Sequence, residues 1–268
     1  MVKFQYISDI HLEFLKKIPK IEKLANNLCL LGDIGHPTSK IYNQFIKECS
    51  LNYKNVFLLY GNHCYYSKTN TMTELEELTK SFPDNVYFLN NKRVFIDKND
   101  NVYDNVTDNV DKDNDKEKNV IKIIGATLWS DIKYDISYYI NDYYMIKTDS
   151  GKLTPYESSE LFRQSKKFIL DELNNDTTKT ILLTHHGAND ICNSIHYKDS
   201  PLKSAFVTNI PELLEFKHLY ACINGHTHAS INEEINNIKF LSNCYGYPNE
   251  NKKIVNYNKD AILEIQDF

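Results

Sequence analysis

The chain is expected to fold as an α/β protein built on parallel strands, and three observations in its 268 residues predict this. Short apolar runs occur at residues 4–7, 28–31, 56–59, 181–183 and 220–223, each bounded by polar residues, as buried strands are. Helix-period stretches lie between them, so the first third of the chain alternates strand and helix as βαβ units do. Each run is followed closely by Asp, Asn or His. Open α/β sheets hold their chemistry in the crevice outside the carboxyl ends of the strands, which is where these side chains fall.

Taken in order, residues 4–7 lead into Asp9-Ile10-His11, residues 28–31 into Gly32-Asp33, and residues 56–59 into Gly61-Asn62-His63. Thr71-x-x-Glu74 has the form of a capping box, opening a helix on which Met72, Leu75 and Leu78 share a face. Residues 97–119 break the pattern: Asp-Asn-Val recurs at Asp100, Asp104 and Asp108, and a mixed Asp/Lys run follows. Too little apolar surface is present there to build a core, which predicts a solvated surface insertion between two strands. Within it, Asp111-x-Asp113-x-Asp115 has the start of a calcium loop. Lys116 stands where Gly is needed and Lys122 where a bidentate Glu is needed, so no EF-hand is expected.

Residues 121–126 resume the sheet. Thr154-Pro155-Tyr156-Glu157 is a second capping box, with Pro at the first helical position. Its helix places Leu161, Phe162, Ser165, Phe168, Ile169 and Leu173 on one stripe and ends near Asn174-Asn175. Residues 181–183 lead into His185-His186, and a polar loop carrying His196 follows. A short helix at 211–216 precedes the strand that ends at Gly225-His226-Thr227-His228, and residues 231–235, 239–242 and 261–265 complete the strands. No linker divides the chain and the polar groups come from both halves. One domain over residues 1–268 is therefore expected, with the insertion at 97–119.

Composition narrows the function. A net charge of −5 gives no general attraction to nucleic acid or to an anionic membrane. The six cysteines include no C-x-x-C pair, which reads as reduced thiols rather than a disulfide framework or a thiolate zinc site. Met1-Val2-Lys3-Phe4-Gln5 runs straight toward the first polar motif, leaving no room for a signal segment, and no apolar stretch is long enough to span a bilayer. A cytoplasmic location is expected, and the Asn105 and Asn175 glycosylation patterns are read as unused. Oligomeric state is not legible.

Oxygen and nitrogen ligands without thiolate suit Mn, Fe, Zn or Ni at octahedral centres. Two such ions about 3.5–4 Å apart clamp a phosphoryl group, and a water bound to them ionises near pH ~7. Gly32, Gly61 and Gly225 beside the candidate ligands let the backbone turn sharply. Each group alone has an ordinary explanation: a capped turn at Asp9-x-His11, a helix N-cap at Asp33, a turn at Asn62-His63, packed rings at His226 and His228. All of them together, in order and at strand ends, favour a metal site.

The ordered set D-x-H, G-D, G-N-H, H-H, G-H-x-H resembles the calcineurin-like metallophosphoesterase superfamily. Gly61-Asn62-His63-Cys64-Tyr65-Tyr66, Gly125-Ala126-Thr127-Leu128-Trp129, Ile140-Asn141-Asp142-Tyr143, Thr184-His185-His186 and Ser242-Asn243-Cys244-Tyr245-Gly246-Tyr247 are similar to a small single-domain branch of it. The resemblance covers nearly the whole chain except the insertion. It implies a four-layer α/β/β/α sandwich of two mixed β-sheets flanked by helices, with a dinuclear metal site at one edge.

Carried over by residue, the resemblance gives Asp9, His11 and His228 to a first metal, Asp33 as the bridge, and Asn62, His185 and His226 to a second. His63 would protonate the leaving oxygen, while His186 and Asn62 would contact phosphate or water. The implied cofactors are two divalent ions, Mn foremost and Fe, Zn or Ni as alternatives. The implied partner is a phosphomonoester or phosphodiester, attacked by hydroxide held between the ions. His36 and His196 fall outside the pattern and are expected to be solvated or supporting.

One departure stands out. The position after Gly-Asn-His normally carries an acid that orients the histidine or raises its pKa, and here it is Cys64. Two rival readings carry sequence tests. A protein Ser/Thr phosphatase would follow its bridging Asp with an Asp-Arg pair, but Asp33 is followed by Ile34, Gly35, His36 and Pro37. A metal-free scaffold or trafficking subunit of the same fold would show broken ligands, and all are intact. Substrate choice falls to residues 128–152 and 188–209, where Tyr139, Tyr143, Tyr144 and Tyr197 either stack on a base or pack within their loops.

Overall fold

The strands form where the apolar runs place them. In the computed structural model, which describes residues 1–104 and 120–266, β1 (Val2–Ile7), β2 (Asn27–Leu31), β3 (Asn55–Leu59) and β4 (Val86–Phe88) are successive parallel neighbours in one sheet. A second sheet begins with β5 (Lys92–Asp97), β6 (Val102–Tyr103) and β7 (Val120–Ala126). A small hairpin of β8 (Lys147–Thr148) and β9 (Gly151–Lys152) intervenes. The second sheet then takes up β10 (Thr180–Thr184), β11 (Leu219–Asn224), β12 (Ile231–Ile235) and β13 (Ile238–Ser242) in the order β12-β13-β11-β10-β7-β5-β6. Strands β7, β10, β11 and β13 are parallel, whereas β12 and β5 run antiparallel to their neighbours. The last strand, β14 (Ile262–Ile265), returns to the first sheet antiparallel to β1.

Strand β2 shows why its sequence is apolar without alternation: both its faces are buried. Cys29 and Leu31 join Phe4, Phe57, Ile123, Leu183 and Ile223 between the sheets, while Leu28 and Leu30 share the outer core with Tyr42 and Phe45 of helix α1 (Lys40–Asn52). Burying one such large apolar side chain contributes about 1.5–3 kcal/mol. Helix α2 (Met72–Glu77) follows β3, a single turn α3 (Asp142–Met145) precedes the small hairpin, α4 (Pro155–Asn175) sets Phe162, Ile169 and Leu173 into the outer core, and a short α5 (Lys252–Val255) lies near the end. The layers are α/β/β/α, as the resemblance implies. Among the described residues, no helix is long and apolar enough to cross a membrane.

Both capping boxes form, Thr71 with Glu74 and Thr154 with Glu157. The first helix is shorter than its pattern suggests. It tightens into a 3-10 turn at Leu78, which leaves Leu78 exposed while Leu75 is buried.

The start of the segment expected to be an insertion is anchored. Residues 97–104 are part of the fold: Asp97 accepts from the N–H groups of Asn99 and Asn101, and the chain returns as β6. The Asp100 carboxylate accepts from the amides of Asn26 and Asn27 at 2.9 and 2.7 Å, tying this turn to the first sheet. Low apolar content argues against a core but not against a polar anchor, and Asp and Asn are turn formers in their own right. The rest of the segment, 105–119, with Asn105 and the Asp111–Asp113–Asp115 series, lies outside the described residues.

Candidate metal centre

The parallel strands β1, β2, β3, β10 and β11 all end at one edge, and the loops leaving them are laced together. The N–H of Asp9 donates to Gly32 O at 3.1 Å, that of His11 to Asp33 O at 2.9 Å, and that of Gly225 to His185 O at 3.0 Å. Five residues here hold left-handed backbone: Asp9 (φ 54), His11 (φ 50), Asp33 (φ 50), His226 (φ 70) and His228 (φ 48). Such a conformation costs a non-glycine residue on the order of 1 kcal/mol or more, and Asp and His tolerate it better than most. It persists because the surrounding hydrogen bonds determine it. Strained non-glycine positions of this kind cluster at functional sites.

Among the described residues three groups of donor atoms converge: one is His11, Glu13 and His63, and the other two comprise the candidate ligands. Asp9, His11 and His228 each bring one ligand atom within 4.8 Å of the others, and so do Asp33, His185 and His226. In the first group, His228 Nε2 is 3.5 Å from Asp9 Oδ1 and 3.2 Å from His11 Nε2. In the second, His185 Nε2 is 3.3 Å from Asp33 Oδ2 and 3.1 Å from Asn62 Oδ1. The N–H of His63 donates to the other Asp33 oxygen at 2.9 Å.

The histidines are aimed from behind. Nδ1 of His11 meets Glu13 at 3.0 Å, Nδ1 of His228 meets Glu250 at 2.6 Å, and Nδ1 of His185 meets Leu31 O at 2.8 Å. An acceptor on Nδ1 fixes that tautomer and leaves Nε2 free toward the centre, the arrangement that orients histidine ligands of a metal. The Asn62 amide donates to Asp142 at 2.9 Å, so its Oδ1 faces inward.

The electrostatics fit a cation. Burial opposes ionisation of Asp9, but the hydrogen bond and charge of His228 hold its carboxyl well below the ordinary range. Burial likewise opposes ionisation of Asp33, and His185, His63 and His11 overcome it. Burial disfavours imidazolium too, yet Asp9 and Glu250 push His228 up to about 10, and Asp33 and Asp9 push His185 up to about 8. His226 goes the other way: burial and the charge of His185 push it down to about 3. These protons supply positive charge that bound divalent ions would supply instead, so metal binding and proton release are linked. Unpaired buried carboxylates are costly. Those at Asp9 and Asp33 are balanced by histidines and backbone N–H groups, so this donor set fits divalent metal.

Comparison with known proteins places the chain. A family model described as calcineurin-like phosphoesterase matches residues 2–230. The chain belongs to that family. It is a phosphoester hydrolase by that membership, and its family typically binds two metals. It is 29% identical over 294 residues to the uncharacterized protein L509 of Acanthamoeba polyphaga mimivirus, covering 98% of this chain and 97% of that one. Its fold is similar to the crystal structure of phosphopantetheinyl hydrolase from Mycobacterium tuberculosis, with a TM-score of 0.67, 13% identity, and coverage of 92% and 90% of the two chains. It also aligns with a putative 5'-nucleotidase from Staphylococcus aureus at a TM-score of 0.45 and 14% identity, over 90% of this chain and 48% of that one.

The site contains groups to which the sequence alone assigned no role. Glu13 touches His63 Nδ1 at 3.5 Å as well as His11. Cys64, by contrast, is buried in the outer core, where burial raises its thiol pKa. The carboxylate facing the His63 ring therefore comes from the loop after β1 and not from position 64. Asp142 accepts from Tyr66 Oη at 2.6 Å in addition to Asn62, and Tyr66 stacks on His63 with ring centres 4.2 Å apart. Tyr247 places its hydroxyl 3.2 Å from His63 Nε2 and its ring 4.3 Å from His11. Tyr247 and Glu250 follow the last residue that the family model matches.

Glycine is required at Gly61, where a Cβ would lie 2.3 Å from Asp33 Oδ1 and 2.4 Å from His185 Nε2. Of the remaining histidines, His186 is buried with Nδ1 3.3 Å from Thr127 O and its ring 4.1 Å from that of His226, behind the open cavity rather than in its wall. His36 bonds Thr38 within its own turn at 2.8 Å. The side chain of His196 lies outside the described residues.

Proposed function

We propose that the protein is a single-domain, dinuclear metal-dependent phosphoesterase acting on phosphomonoesters or phosphodiesters. Asp9, His11 and His228 would hold one ion, Asn62, His185 and His226 the other, and Asp33 would serve both. The observation that carries this reading is the convergence of the Nε2 atoms of His11, His185 and His228 on two buried carboxylates, with these three rings fixed through Nδ1 and His226 beside Asp33 and His185. When bound, two divalent ions, Mn²⁺ foremost, would supply charge for the phosphoryl oxygens and an acidified water.

The chain's own residues do the rest. Asp142 holds Asn62 with its oxygen inward. Tyr66 and Glu13 fix the His63 ring so that Nε2 faces the cavity, where it gives a proton to the departing oxygen. His186 supports the rings of His226 and Trp129 instead of meeting phosphate directly. Among the described residues, no Arg lines the cavity, which disfavours a protein phosphatase that grips phosphate with one.

Activity is expected to depend wholly on added metal. Protein stripped by a chelator should lose hydrolysis of p-nitrophenyl phosphate and bis-p-nitrophenyl phosphate, and Mn²⁺ should restore it. Hydrolysis that survives complete stripping would contradict the proposal.

A further inference from the structure

We infer that the cavity selects esters with a single phosphoryl group on an uncharged leaving group that carries a planar aromatic part, of the nucleoside type, and turns away di- and triphosphates. The inference rests on the phosphoesterase reading and adds the substrate class. The cavity above the candidate ligands has a volume of about 360 Å³. That is the scale of small-molecule pockets, roughly 300–1,000 Å³. It leaves room beyond a phosphoryl group at its floor, where Asp33, Asn62, His63, His226 and His228 lie.

The charge of the wall sets the phosphate count. Among the described residues, no Lys or Arg lines the cavity, while Asp142 and Glu250 do. Lys203, close by in sequence, is paired with Asp190 at 2.9 Å. Two divalent ions would be balanced by the carboxylates already gathered there: Asp9, Asp33, Glu13 and Glu250. One phosphoryl group can lie against the ions. A second would meet carboxylates with no cation of its own, and like charges in a partly desolvated site repel strongly.

The rim sets the leaving group. Tyr139 and Tyr197 line the mouth yet are 74% and 56% exposed, so their ring faces are open to a ligand. Tyr143 has gone into the core, and Tyr144 is not part of the wall. Phe206 is fixed against His226, with ring centres 5.0 Å apart and planes 27° apart. Asn141 and Asn193 add amide donors and acceptors without charge. Flat faces with neutral hydrogen-bonding groups suit a nucleobase better than a sugar or a carboxylated group.

The test compares adenosine 5'-monophosphate, adenosine 5'-diphosphate and glycerol 3-phosphate as substrates of the Mn²⁺-loaded protein. It also measures adenosine and ribose binding to the metal-free protein by saturation-transfer NMR. The monophosphate should have the highest kcat/KM, and adenosine should bind where ribose does not. Tyr139→Ala and Tyr197→Ala should each lower the ratio of kcat/KM for adenosine monophosphate over glycerol phosphate by ~5–100-fold, the range of one stacking contact. They should weaken adenosine binding in parallel. Equal kcat/KM for all three esters, or adenosine binding that both variants leave intact, would overturn the inference while the esterase reading stands. Failure to hydrolyse any ester, p-nitrophenyl esters included, would sink that reading instead, and the adenosine measurement would still decide this one.

Discussion

Asp33→Asn is expected to empty both metal positions and lower kcat by more than the ~10²–10³-fold typical of losing one electrostatic stabiliser. The carboxylate is buried, 3.3 Å from His185 Nε2 through one oxygen and bonded to the His63 N–H through the other. Asn keeps the shape and removes the charge that two cations would share. Metal content by mass spectrometry should fall for both ions together. Loss of one ion with the other retained would show that Asp33 serves a single metal.

His63→Ala is the second large effect, and its size should depend on the substrate. A general acid is worth ~10²–10⁴-fold where the leaving group needs a proton. The variant should therefore lose about that much on alkyl phosphates, little on p-nitrophenyl esters, and no metal. Glu13 should act through the same ring. Burial disfavours the His63 imidazolium, but Asp33, Glu13 and Asp142 outweigh it and raise its pKa. Glu13→Gln removes one of these anions, so the protonated acid is lost at lower pH and the basic limb of the rate profile moves down. Its cost in rate should be ~10–100-fold, as for other groups that orient a site histidine. In the His63→Ala background the part of this cost that runs through His63 should vanish, leaving only what Glu13 exerts through His11. A full additional loss in the double variant, together with falling metal content, would assign Glu13 to the His11 metal position alone.

The parts of this site differ in how far the sequence exposes them. The strands are legible because β1, β2, β3, β10 and β11 are buried on both faces, so their runs are apolar almost throughout, Gln5 of β1 being the exception. The candidate ligands are legible because each leaves such a strand within a few residues. Groups that act through a partner are hidden by separation: Asp142 lies 80 residues from Asn62, and Tyr247 lies 184 residues from His63. Glu13 is the exception, since it stands only two residues after His11 in the same loop. Composition located the polar segment after β5 but could not see that Asp100 is anchored on Asn26 and Asn27. Likewise, the aromatic count of the 128–152 loop could not separate buried Tyr143 from exposed Tyr139.

The most direct test of the dinuclear centre is anomalous diffraction from crystals of the Mn²⁺-loaded protein. Two peaks should flank the Asp33 carboxylate about 3.5–4 Å apart, one reached by Asp9, His11 and His228 and the other by Asn62, His185 and His226. A single peak, or peaks away from Asp33, would contradict the account.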